Sequence, residues 1–132
     1  MPSLPIPWSN IVTSAINYIR NGLAFAHRAL ADARNGTEEQ LHFVPENGSH
    51  SIAWCLWHTA RIEDLIINVR SQGKSPIWSE EWASKTGLPF DGFGTNMPDE
   101  DAQAIRIKDM EAFGKYQEAV WAATAEFLDN VT

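Results

Sequence analysis

The chain has 132 residues, of which 44% are hydrophobic and 20% are charged, and its formal net charge at pH 7 is -7. This size and balance predict one soluble globular domain and exclude a disordered chain. The acidic charge disfavours binding to nucleic-acid phosphates, and no Lys/Arg cluster offsets it locally. One cysteine excludes an intrachain disulfide, and the absence of a leader or a long uncharged apolar run predicts a cytoplasmic protein without a membrane partner.

The first predicted element is a long helix that follows an extended arm. Residues 1–8 contain three prolines, which fix backbone angles and remove amide donors. Ser9 is a suitable N-cap, and Asn35-Gly36 is a typical helix end. Apolar residues recur between them at helical spacing and predict a stripe that faces a bundle: Val12, Ile16, Ile19, Leu23, Ala26 and Leu30. His27 lies beside this stripe, where the margin of the bundle is the favoured position.

The second helix carries the most informative pattern. Residues 37–48 form a connector with strong turn signals, on which His42 is expected to lie in water. Ser49 or Asn47 then caps a helix that ends near Gly73. One predicted inward stripe runs along it at steps of three or four: Ile52, Cys55, His58, Ile62, Leu65 and Val69.

His58 stands in the middle of that stripe, so its ring is expected to lose water. A buried imidazole needs a partner, which is a carbonyl, a carboxylate, a buried water or a metal, and helical phase does not choose among them. Cys55, one turn away, is interpreted as a small buried hydrophobe rather than a nucleophile. His50 lies near the helix start, where exposure to solvent is favoured.

A long segment follows the second helix. Residues 72–100 are rich in turn residues but also in aromatic ones, which a flexible linker does not need. They predict a packed crossover with a short helical turn at residues 79–85. A third long helix is expected to start at Pro98 and to continue to the end of the sequence, with Asp109 at an exposed edge.

The run from Gly48 to Asp64, GSHSIAWCLWHTARIED, resembles the second-helix signature of the DinB-like (YfiT-like) helical-bundle superfamily, which reads approximately S-I-A-W-x-x-x-H-x-x-R-x-E-D. The preceding Val44-Pro45 and the stretch 78–87 are also similar to that family. The resemblance implies an all-α, four-helix bundle with up-down-down-up order, of which residues 1–132 supply three long helices and the crossover as a single domain.

The resemblance also implies a chemistry. The histidine that matches His58 is the first of three histidine ligands of a divalent metal such as zinc or nickel in that family. Members include metal-dependent transferases and isomerases that act with low-molecular-weight thiols such as bacillithiol or mycothiol, where the metal holds the thiolate.

The sequence departs from that pattern because it contains no H-x-x-x-H motif, which the fourth helix normally supplies. One imidazole does not complete a metal site. A longer native protein, a member that has lost its metal, and a partner chain that completes the bundle all remain open. An uncovered bundle face, and three tryptophans that are not expected to fit one interior (Trp54, Trp57 and Trp121), predict a homodimer.

Two functions therefore remain open. The chain is a thiol-using, metal-dependent enzyme with His58 as a ligand, or it is a metal-free helical module for binding or assembly with His58 as a structural core residue.

Overall fold

Residues 7–131 are described in a computed structural model, and within that range the chain is helical, with no strand. The six α-helices and one π-helical segment are α1 (Trp8–Ala33), α2 (Glu38–His42), α3 (Ile52–Asp64), the π-helical segment (Leu65–Arg70), α4 (Glu80–Thr86), α5 (Asp99–Gln103) and α6 (Met110–Asp129). The predicted all-α bundle is confirmed. Its three long elements are α1, α3 with its π-helical continuation, and α6.

Polar side chains cap the N-termini of four of these helices: α2, α3, α4 and α6. Thr37 and Gln40 form a capping box at α2. This short helix was not predicted, although the Thr-x-x-Gln spacing is typical of a helix start. The side chain of Ser51, not that of Ser49 or Asn47, accepts from the amide of Trp54 at 3.0 Å and begins α3. Ser79 caps α4, so the helical turn expected in the crossover is confirmed.

The third long helix does not start at Pro98 as expected. It is interrupted between α5 and α6, where Ile105 and Ile107 turn into the core. The amide of Ile107 donates to Nε2 of His42 at 3.0 Å. His42 is therefore half-buried and stabilises this break, whereas it was expected to lie in water. Asp109 is exposed and caps α6 by accepting from the amide of Ala112 at 3.0 Å.

α1 packs against α6 along one side only. It begins at Trp8 after Pro7, so Ser9 is not its cap. Of the extended arm predicted over residues 1–8, residues 1–6 lie outside the described residues, and the prediction is wrong at Trp8, which is helical. Arg20 pairs with Asp129 at 2.9 Å and Arg34 with Glu118 at 3.4 Å, which makes the two helices antiparallel. None of the 26 residues of α1 is buried.

The buried side of α3 is not the predicted stripe. Ile52 and Val69 are 42% and 36% exposed, and Cys55 is exposed as well. The crossover and α6 instead cover the neighbouring side, whose buried members are Ala53, Trp54, Leu56, Trp57, Ala60, Arg61 and Asp64. Both tryptophans of α3 are buried there, whereas Trp121 is half-buried and lies outside the buried core. This distribution agrees with the expectation that the three rings do not all fit one interior.

Candidate functional site

His58 is half-buried and held by two contacts. Its Nδ1 donates to the carbonyl of Phe93 at 2.6 Å, and its ring stacks on Trp54 with centroids 4.5 Å apart. The hydrogen bond from Nδ1 fixes the tautomer of the neutral ring, because Nε2 must then carry the lone pair. The sequence left four possible partners for this ring open: a carbonyl, a carboxylate, a buried water or a metal. In the structure the partner of Nδ1 is a backbone carbonyl.

The crossover reaches His58 because Gly94 has no side chain. Its φ is +101°, and a Cβ built there would lie 2.7 Å from Nδ1 of His58. Gly92 also has a positive φ, and its carbonyl accepts from Nη2 of Arg61 at 2.9 Å. The two glycines, which the sequence marks only as turn residues, place two successive crossover carbonyls on two side chains of α3.

Arg61 and Asp64 are buried, so the acidic end of the signature is not a solvated helix face. Arg61 lies over the ring of Trp78, 5.1 Å from its centroid. Asp64 is fully buried and accepts four hydrogen bonds of 2.8–2.9 Å from the side chains of Asn68 and Tyr116 and from the amides of Ile77 and Trp78. Its carboxylate therefore anchors the start of the crossover to α3 and α6.

Tyr116 shows the electrostatic consequence of this packing. Its hydroxyl donates to Oδ2 of Asp64 at 2.9 Å. Burial, followed by the negative charge of Asp64, raises the pKa of Tyr116 far above its ordinary value. The phenol is therefore protonated, and donates to Asp64, at neutral and moderately alkaline pH.

Glu63 links three helices beside His58. Its Oε1 lies 2.8 Å from Nε2 of His27 on α1, and its Oε2 accepts from the hydroxyl of Thr124 on α6 at 2.7 Å. His27 also stacks on Trp121 with centroids 4.5 Å apart, and its side chain is only 15% exposed. His27 therefore leans inward rather than lying at the margin, and no sequence motif marks the pair, because its members are 36 residues apart.

An open cleft of about 330 Å³ lies between these groups. It has an apolar floor and a polar wall, and its lining includes Leu23, His58, Ile62, Glu63, Ile66 and Thr124. Ile66 belongs to the π-helical segment, a rare conformation that is frequent at functional sites. The size and the few polar groups are typical of a small-molecule site.

The sequence around this site matches a known protein family. A model of the DinB superfamily matches residues 24–132. The chain belongs to the DinB superfamily. A search of curated proteins finds no significant match.

The fold of this DinB-superfamily chain is similar to that of a conserved protein from Enterococcus faecalis, known from a crystal structure. The TM-score is 0.70 at 22% sequence identity, and the match covers 97% of this chain and 73% of the other. At that identity the likeness concerns the fold alone. No helix within residues 7–131 is long and apolar enough to cross a membrane.

The metal that the DinB resemblance implies finds only part of its site in this chain. His58 has the supporting hydrogen bond from Nδ1 that metal-binding histidines usually make. Within the described part of the chain, however, no three His, Cys, Asp or Glu side chains converge as a ligand group would require. The residues present do not hold a metal by themselves.

The other candidate residues do not join His58 as ligands. His50 is exposed, as expected, and its ring packs against Trp54 with centroids 3.9 Å apart. His42 is engaged at the break before α6. Cys55 is exposed rather than buried, yet partial desolvation raises the pKa of its thiol, which disfavours the thiolate that a nucleophile needs.

Proposed function

We propose that the cleft beside His58 binds a small molecule and that Nε2 of His58 is the atom that engages it. The hydrogen bond from Nδ1 to the carbonyl of Phe93, 2.6 Å long, carries this proposal. It fixes the ring and leaves Nε2 with a free lone pair in the neutral form. The apolar floor favours a ligand with a hydrocarbon part and one polar head group.

In this proposal His58 contributes one ligand to a divalent ion, zinc or nickel, and the other donors come from outside residues 7–131. Such an ion, when bound, lowers the pKa of a thiol that coordinates it, which is the chemistry needed for transfer or isomerisation with a low-molecular-weight thiol. The task of this chain's own residues is to orient Nε2 and to exclude water from the apolar side of the cleft.

Zinc titration followed by NMR of the histidine rings tests the proposal. Because one imidazole does not complete a site, we expect only excess zinc to shift the ring signals of His58 in the wild type, and we expect His58→Ala to lose this weak contact. His50→Ala is the matched control, because His50 also packs on Trp54 but is exposed, and it should bind like the wild type. Equal zinc binding by wild type and His58→Ala would refute the assignment.

A pair of glycine variants tests the positioning of the ring. Gly94→Ala places a methyl group against Nδ1 of His58, whereas a Cβ at Gly92 meets no atom within 4 Å. Both substitutions strain a positive φ, so their difference isolates the collision, which typically costs about 1–3 kcal/mol. We expect only Gly94→Ala to weaken zinc binding. The same loss in Gly92→Ala would mean that general loop strain, not the ring position, controls the site.

The second candidate function is a metal-free helical binding module in which His58 is structural. The observation in its favour is that the stacking on Trp54 and the hydrogen bond to the carbonyl of Phe93 already hold the ring in place. It predicts that His58→Ala lowers the free energy of unfolding but leaves the binding of metals and cleft ligands unchanged.

A further inference from the structure

α1 carries a second apolar stripe, on the side opposite the residues that contact α6. Its members recur at alternating steps of three and four residues, which is the repeat of a coiled coil, and we call them the outer stripe: Trp8, Ile11, Ala15, Tyr18, Gly22, Phe25 and Ala29. All of them are exposed. The aromatic members are 81%, 82% and 70% exposed, in chain order. An apolar surface of this extent is unusual on an uncovered helix.

Large and small side chains alternate along the outer stripe. After Trp8, each bulky residue is followed by a small one at the next position of the repeat. The most unexpected of these is Gly22, because glycine in mid-helix is less stable than alanine. A Cβ at Gly22 would meet no atom within 4 Å, so nothing among the described residues of this molecule requires a glycine there.

We propose that the outer stripe is the interface of an antiparallel homodimer in which α1 packs on α1 of a second copy. A two-fold axis level with Arg20 sets every bulky residue after Trp8 opposite a small one. The pairs are Ile11 with Ala29, Tyr18 with Gly22 and Phe25 with Ala15 of the second copy. Knobs and holes then interdigitate along the seam, and the contact is self-complementary, as a two-fold interface must be. In this arrangement the missing side chain of Gly22 leaves room for the ring of Tyr18 from the second copy.

Charge favours this face and this orientation. Two chains of net charge -7 repel each other, but α1 contains no acidic residue before Asp32. Arg20 points to Asp129 of its own chain. Antiparallel pairing keeps the two copies of Arg28 roughly 24 Å apart along the axis, whereas parallel pairing would bring them to the same height along the dimer.

The exposed area is also sufficient. The four large apolar side chains of the outer stripe (Trp8, Ile11, Tyr18 and Phe25) offer roughly 600 Å² per copy, given the size of aromatic side chains. A standard interface takes about 800 Å² from each partner. The proposal does not depend on the function of the His58 cleft.

Sedimentation equilibrium of the full chain tests the interface. We expect the wild type to dimerise at tens of micromolar, and we expect Phe25→Glu and Tyr18→Glu to be monomeric and still folded. Asn17→Glu adds the same charge to an exposed residue on another side of α1 and should leave the dimer intact. Gly22→Ala should raise the thermal midpoint of the monomer and weaken dimerisation at least tenfold. A wild type that stays monomeric at about 100 µM, or a dimer that survives Phe25→Glu, overturns the proposal.

Disulfide cross-linking tests the orientation. In a Cys55→Ser background, Asn21→Cys places the new thiols next to the two-fold axis, and Arg28→Cys places them far apart. We expect oxidation to link the first variant and not the second. Efficient linking of Arg28→Cys would indicate a parallel pair, and a monomer that recruits another protein to α1 would indicate a different occupant; either result contradicts the antiparallel homodimer.

Discussion

The crossover side of α3 and the outer side of α1 have the same helical periodicity, but the first is covered by the rest of the chain and the second is exposed. On α3, the fully buried carboxylate of Asp64 and the close approach of Gly94 to His58 hold the crossover against the helix. On α1, none of 26 residues is buried, and its contacts to α6 include ion pairs and ring stacking, with partly buried apolar residues such as Leu30 beside them. Periodicity tells which residues share a face, whereas polar anchors decide which face the rest of the chain covers.

This contrast explains why the site lies where it does. His58 stands at the edge between the covered and the uncovered side of α3. It receives a backbone carbonyl from the crossover and lines an open cleft with Leu23 of α1. A residue deeper in the core would have no access to a ligand, and one farther out would have no support for its ring.

The largest expected effect follows from removing the anchor of the covered side. Asp64→Ala deletes the acceptor of four buried hydrogen bonds, and leaving such donors unpaired should cost about 3–5 kcal/mol of the free energy of unfolding. Urea unfolding followed by circular dichroism measures this loss. Asp91→Ala removes an exposed carboxylate from the crossover and should stay within about 0.5 kcal/mol of the wild type. Equal effects would show that the carboxylate does not hold the crossover.

A smaller effect, with a distinct pH signature, is expected for Tyr116→Phe. Losing a hydrogen bond to a charged acceptor should cost about 1.5–3 kcal/mol at neutral pH. Because burial raises the pKa of Tyr116, the unfolded chain releases this proton first, above about pH 10. The stabilisation is complete below that pH and is lost as the pH rises towards the folded-state pKa.

The alkaline limb of the stability curve measures this linkage. The wild type should lose about 1.4 kcal/mol more per pH unit above pH 10 than Tyr116→Phe does. Tyr18 is exposed and is present in both proteins, so its contribution cancels. Parallel curves for the two proteins would place the phenol of Tyr116 in a much less perturbed environment than the structure shows.

The helical class, the crossover helix and the family were predictable from the sequence, because caps, turn residues and the W-x-x-x-H-x-x-R-x-E-D pattern are local signals. The covered side of α3 was not. Ile52, Cys55 and Val69 form as regular a stripe as Ala53, Trp57 and Ala60, and only the buried Asp64 distinguishes the two sides. A carboxylate in mid-helix looks like a solvated residue until the amides that it binds, 13 and 14 residues further on, are placed.

The site was predictable only at His58 itself. Its partner is a backbone carbonyl 35 residues away, and backbone acceptors carry no residue signature. The contact of Glu63 with His27 joins helices that are adjacent only after folding. The break before α6 was missed for a similar reason, since tertiary burial of Ile105 and Ile107 overrides a helical pattern that is locally sound.

The smallest expected effect concerns the weakly held side. His27→Ala removes the contact with Glu63 and the stacking on Trp121, which together should be worth about 1.4 kcal/mol. Because α1 buries no residue, we expect the loss to appear as local opening of α1. Amide hydrogen exchange in the second half of α1 should then accelerate about tenfold while α6 is unchanged.

Measuring this exchange in a Phe25→Glu background prevents self-association from protecting α1, and Arg28→Ala, which changes an exposed neighbour of His27, is the control. If α6 accelerated equally, α1 would unfold together with the core, and the contrast between the two sides would concern surface composition only, not stability.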